Sequence, residues 1–234
     1  IIKIVKPTLE DAILKADLYK AIFNNPSEDI APIADVINKM MASDSEDGKI
    51  AVIKALRNLP EINPYFIDIL LKYLKENWFI SSAAAKALGD YGLKDEIVVD
   101  ALLDCLKNGS AFHIHIIEAF GKLGVKDERI VDALLEILET ETIVTANLAA
   151  KALGDIGAKD KRVVDALLKA VMVTGGDVSS GAIEAFGKLQ IKEKRVIDAL
   201  LERVKTGVTN YFEVGEALAN IGVKDKYVID RLLE

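Results

Sequence analysis

One segment recurs along the chain at a nearly fixed step, and no other feature restricts the fold as much. KALGDYGLKDEIVVDALL begins at Lys86, EAFGKLGVKDERIVDALL at Glu118, KALGDIGAKDKRVVDALL at Lys151, EAFGKLQIKEKRVIDALL at Glu184 and EALANIGVKDKYVIDRLL at Glu216. More degenerate copies start at Lys20 and Lys54. Asp35, Asp68, Asp100, Asp132, Asp165, Asp198 and Asp230 mark the register in steps of 32 or 33 residues, so seven units fill the 234 residues. A unit this short cannot bury an apolar face alone and must stack on its neighbours. The expectation is one domain over 1–234, with a leading helical segment at 1–19 and repeats from about residue 20 to the end.

Each unit reads as two helices. Gly92, Gly124, Gly157 and Gly222 stand where a left-handed residue ends one helix, and Asp95, Asp127, Asp160 and Asp225 stand where a side chain can cap the next. Asn63 followed by Pro64 is the same start with proline at the first helical position, where its missing N–H is harmless. Val98, Ala101, Leu102, Cys105 and Leu106 form one apolar stripe at helical spacing; Ile80, Ala84, Ala87, Leu88 and Tyr91 form another on the partner helix. Composition agrees, at 51% hydrophobic and 29% charged residues with only 15 Gly and 5 Pro: too apolar for disorder and too poor in turn formers for a many-stranded sheet. The fold class is therefore an all-α solenoid of about seven two-helix repeats.

At these residues the chain resembles the short HEAT-like repeats of the type found in phycobilisome lyases, whose units carry an ALGxxG segment closing one helix and a capped helix soon after. The resemblance spans about 20 to 234 and is strongest from Lys86 onward. The sequence signatures of ankyrin and tetratricopeptide repeats are missing. The resemblance implies that the helix ending in ALG lines the concave face. It also implies an arginine early in that helix, but Lys49, Ser81, His113, Ala146, Ser179 and Tyr211 occupy the matching positions.

Charge and composition exclude several functions. Thirty Lys and Arg against 37 Asp and Glu give a net charge of −7, which disfavours a nucleic-acid surface. No apolar stretch has the roughly 20 residues of a membrane span, and one cysteine, Cys105, cannot build a disulfide framework, so a reducing, cytoplasmic setting without membrane contact is expected. The first residue is not Met, which suggests that it is not the start of the gene product. No phosphate-binding, nucleophile-elbow or dinucleotide motif is present, and no cofactor is expected. His113 and His115 lie about 200° apart around a helix and cannot chelate one ion together, so no metal is expected either.

Two regularities are structural. The aspartate ladder recurs once per unit and does not converge on one point; the lysines Lys94, Lys126, Lys159, Lys192 and Lys224 are its expected partners. Lys86 with Asp90, Glu118 with Lys122, Lys151 with Asp155 and Glu184 with Lys188 are opposite-sign pairs at i,i+4 whose sign inverts in each successive unit, so neighbouring helices can also pair laterally. Leu88, Phe120, Leu153 and Phe186 alternate with the same two-unit superperiod.

Irregularity points to function. Every unit has the same neighbours, so stacking positions repeat, whereas a ligand touches each unit differently. The starts of the ALG helices do not repeat, and Trp78, Phe79, Ile114, His115, Val144, Asn147, Tyr211 and Phe212 are the candidate partner-binding residues. The leading expectation is a non-catalytic scaffold or adaptor that holds a protein or peptide on the concave face. The alternative, implied by the resemblance, is a bilin lyase or isomerase acting on a partner-bound chromophore, for which only His115 with Glu118 is suitably placed.

Overall fold

A computed structural model describes residues 31–42, 45–57, 59, 62–107, 113–172, 178–205 and 211–223. The described residues form twelve helices: α1 (Ala31–Ala42), α2 (Glu46–Leu56), α3 (Pro64–Tyr73), α4 (Trp78–Tyr91), α5 (Glu96–Lys107), α6 (His113–Leu123), α7 (Glu128–Thr140), α8 (Ile143–Ile156), α9 (Lys161–Met172), α10 (Val178–Leu189), α11 (Lys194–Lys205) and α12 (Tyr211–Ile221). No strand occurs among them. The odd and even helices make two layers, and each even helix packs on the next even helix as well as on the odd helix before it. This is the expected all-α solenoid. Lys20, Asp225, Asp230 and the residues after Val223 lie outside the described residues.

Local signals set the boundaries. Asp127 Oδ1 accepts from the backbone N–H of Arg129 at 2.8 Å, Asp95 from Ile97 at 3.0 Å and Asp160 from Val163 at 3.1 Å. Asn63 caps α3 through the Tyr65 N–H at 3.0 Å, with Pro64 first in the helix. Gly92, Gly124, Gly157 and Gly222 adopt φ of 59° to 75°, the left-handed region that glycine enters without penalty. Gln190 fills the same slot in the sixth copy at φ 54° and carries a full side chain there. Where Leu59 and Pro60 replace the glycine stop in the second copy, Tyr91 of the next even helix donates its hydroxyl to the Leu56 carbonyl and satisfies that helix end instead.

The two layers pack differently. In the odd layer Val98, Leu102 and Leu106 are buried and Ala101 and Cys105 half-buried, while in the even layer Ile80, Ala84, Ala87 and Leu88 are fully enclosed. Phe120 and Phe186 alternate with Leu88 and Leu153 at the centre, all four without exposure. The even layer is the tighter one because its contacts are glycine on alanine. A Cβ built on Gly89 would lie 2.7 Å from Ala119 Cα, and one on Gly154 2.7 Å from Ala185 Cα. The ALG helices are thus the closely spaced layer, as expected of the inner side of a curved stack.

The position where the resemblance implies arginine is used in a different way. Lys49, 7% exposed, donates to Glu76 Oε1 at 3.0 Å; His113 Nδ1 stands 3.4 Å from Glu141 Oε1; and Ser179 accepts from Arg203 Nη2 at 3.2 Å. Arg203, 3% exposed, comes from the last turn of the odd helix, so a buried cation sits in this slot but approaches from the opposite layer. Burial also drives the neighbouring Tyr73 phenol up to about 12.

Candidate functional site

The candidate residues fall into two groups. Trp78 and Phe79 are the first two residues of α4, Val144 is the second of α8, and Tyr211 and Phe212 open α12; all five are exposed, from 47% at Trp78 to 73% at Phe212. The Trp78 and Phe79 rings are in contact with each other. Ile114, His115 and Asn147 are half-buried. Asn147 packs against α10: a Cβ on Gly181 would collide with the Asn147 carbonyl oxygen, so its backbone belongs to the stack. His115 Nδ1 lies 3.2 Å from Glu118 Oε2.

The structure adds a residue and a rule. Among the described residues eight large apolar side chains are exposed, and six of them are Trp78, Phe79, Ile143, Val144, Tyr211 and Phe212. These are the first two residues of α4, α8 and α12, which are alternate helices of the even layer. Ile143 was not among the sequence candidates. Its signal was present in the sequence, because it stands one two-unit step after Trp78, itself a candidate. Helices two units apart are separated by roughly 16–20 Å at ordinary interaxial distances. The α4 and α8 pairs share one register and the α12 pair stands three residues, about one turn, further along its helix, so the three form a broken, stepped strip on this face.

Beyond this strip the inner face is a shallow groove with charged walls. One stretch, of about 400 Å³, is lined by Lys151, Ser180, Glu184, Lys188, Glu213 and Glu216 among others; another, of about 270 Å³, includes Lys86, Glu118, Lys122, Leu148 and Asp155. The charges pair mainly between helices. Lys188 Nζ reaches Asp155 at 2.6 Å and Glu184 at 2.7 Å, Lys151 reaches Glu184 at 2.9 Å, and Asp90 is shared by Arg57 and Lys122. Of the four expected i,i+4 pairs only Glu184 with Lys188 forms. Stacking brings the next helix's opposite charge within reach, and lateral pairing wins elsewhere. Burial works to raise the Asp90 and Glu184 carboxyls, but the hydrogen bonds from Lys122 and Arg57, and from Lys188 and Lys151, more than offset it and hold both below the ordinary range.

On the outer layer the aspartate ladder takes partners other than the expected lysines. Arg129 Nη1 binds Asp100 at 2.7 Å, Arg162 Nη1 binds Asp132 at 2.7 Å, and Arg195 binds Asp165. Each arginine lies in the first turn of the next odd helix, opposite the aspartate once the units stack, whereas the lysines lie in the loops before the caps. No group of three or more His, Cys, Asp or Glu side chains suited to a metal ion occurs among the described residues, and none of their helices is long and apolar enough to cross a membrane.

Comparison with known proteins gives a consistent fold. Residues 33–121 match the family model for HEAT repeats. The archaeal HEAT-like repeats protein from Thermococcus onnurineus superposes with a TM-score of 0.58 at 13% identity, covering 98% of this chain and all of that one. An engineered protein from a structural-genomics programme superposes at 0.54 with 20% identity, covering 95% of this chain, which spans 66% of its length. No curated protein matches the chain. These likenesses establish the architecture and say nothing of a ligand.

Proposed function

We propose that this chain, a HEAT-like repeat protein, is a non-catalytic scaffold that holds a protein or peptide segment against the concave face, anchored on the starts of the even helices. One observation carries the reading: six of the eight exposed large apolar residues among those described stand in pairs at the starts of α4, α8 and α12. Exposed apolar surface ordered on a rigid frame is what an interface uses, and aromatic anchors dominate binding energy in measured interfaces. Trp78, Phe79, Ile143, Val144, Tyr211 and Phe212 supply the anchors. Ile114, His115 and Asn147 border them as half-buried contacts. The lyase reading has only His115 with Glu118 as an acid–base pair, and Glu118 shares its groove with Lys86, Lys122, Lys151 and Asp155.

The test starts by capturing binders on the immobilised chain and then measures the purified partner against three variants. Phe79→Glu and Phe212→Glu should each weaken binding by about 2 kcal/mol or more with helicity unchanged. Glu136→Lys, exposed on α7 in the outer layer, should do little. If the outer variant were decisive and the inner two silent, the site would lie on the other face.

A further inference from the structure

We infer that the inner groove is electrically polarised along its length and fits an extended segment bearing acidic residues at one end and basic residues at the other, about ten residues apart. This rests on the concave-face reading above and adds the chemistry of the occupant. What matters is the charge left over once the lateral ladder has paired. At the α4 end, Arg57 and Lys122 share Asp90, which leaves that trio one positive charge, and Lys86, one turn earlier on α4, has no partner among the described residues. In the middle, Lys151 and Lys188 balance Asp155 and Glu184; Glu118, beside Lys86 and Lys122 in the groove wall, offsets one of the two spare positive charges and leaves the α4 end one net positive charge. At the α12 end, Glu213 and Glu216 both line the groove without a partner among the described residues, and Asn220 stands where Lys122 and Lys188 stand in other units.

The spacing follows from the stack. Lys86 and Glu216 hold the same register four even helices apart. At interaxial distances of 8–10 Å this is roughly 32–40 Å. An extended chain covers about 3.3–3.6 Å per residue, so roughly ten to twelve residues separate the two charged ends. The apolar pairs at α4, α8 and α12 run beside the same path and give the uncharged middle of the segment something to pack on. The paired centre repels neither end, so a segment of uniform charge gains at one end and loses at the other.

Labelled synthetic peptides test this by fluorescence anisotropy at low ionic strength on the whole chain. The first carries two aspartates, ten uncharged residues alternating leucine and serine, and two arginines; its isomer has the same residues reordered so that three separate the charges. The first should bind about tenfold more tightly than the isomer. The double variant Glu213→Lys with Glu216→Lys should lose about tenfold for the first peptide and regain it for a version whose arginines are replaced by aspartates, with circular dichroism unchanged. No preference for the long spacing, no effect of the double variant, or no binding of the first peptide at all would each overturn the inference. A fully uncharged leucine–serine peptide separates the two readings: if it binds the wild type but not Phe79→Glu with Phe212→Glu while the charge comparisons stay silent, the docking face stands and only its charge assignment falls.

Discussion

Glycine to alanine inside a helix should have opposite signs at two positions of this chain. Alanine normally gains about 0.5–1 kcal/mol over glycine at a helical site, because it has less backbone freedom to lose. Gly215 on α12 is exposed, and a Cβ there meets nothing within 4 Å, so Gly215→Ala should stabilise by that amount. Gly154 on α8 is buried, and its Cβ would lie 2.7 Å from Ala185 Cα and 3.0 Å from Ala185 Cβ. Those atoms belong to the backbone and first side-chain carbon of α10 and cannot swing aside. The helices must separate, and overpacking of this kind costs about 1–3 kcal/mol. With the propensity gain deducted, Gly154→Ala should destabilise by up to about 2.5 kcal/mol. Urea unfolding followed by circular dichroism would read both changes as shifts in midpoint of opposite direction. If Gly154→Ala stabilised as much as Gly215→Ala, the close contact of the even layer would be wrong.

The turn after α10 should be the soft joint of the stack. Gln190 is held at φ 54°, and the Glu193 carboxylate binds Arg195 Nε at 2.6 Å where an aspartate would cap the helix, so amides at 188–194 should exchange faster than those at 122–128. Equal protection of the two loops would refute this. Gln190→Gly should stabilise by about 1 kcal/mol, seen as a higher urea midpoint. Because Asp90 and Glu184 have lowered folded-state values, their contribution is present above the unfolded carboxylate range and is lost as pH falls through the folded ones. Asp90→Asn should therefore cost about 0.5 kcal/mol near neutral pH, after discounting for its exposure, and its midpoint should converge on the wild type's in acid. Cys105 is half-buried with its thiol raised by burial and then by Asp104, so a thiol reagent should label it far more slowly in the native chain than in urea.

Much of the fold was legible because its rules are local and repeat. A glycine stop, an aspartate start and two apolar stripes act over a few residues, so Gly124, Asp127 and the Val98 stripe announced their roles without knowledge of distant contacts. Even the irregular copies could be read this way, since Gln190 must take up the left-handed turn that its position demands. What lay beyond the sequence needed residues about thirty positions apart to become neighbours. Asp100 takes Arg129 rather than a loop lysine, Asp90 is claimed from both sides, and Arg203 fills a slot that the even helix leaves to Ser179. Each outcome depends on the stagger and spacing of stacked helices, which the glycine–alanine contacts set. The candidate site divides the same way: its place at the irregular helix starts came from comparing units within one chain, but which of the described residues there stay exposed, the pairs on α4, α8 and α12, is decided only when the layers close over everything else.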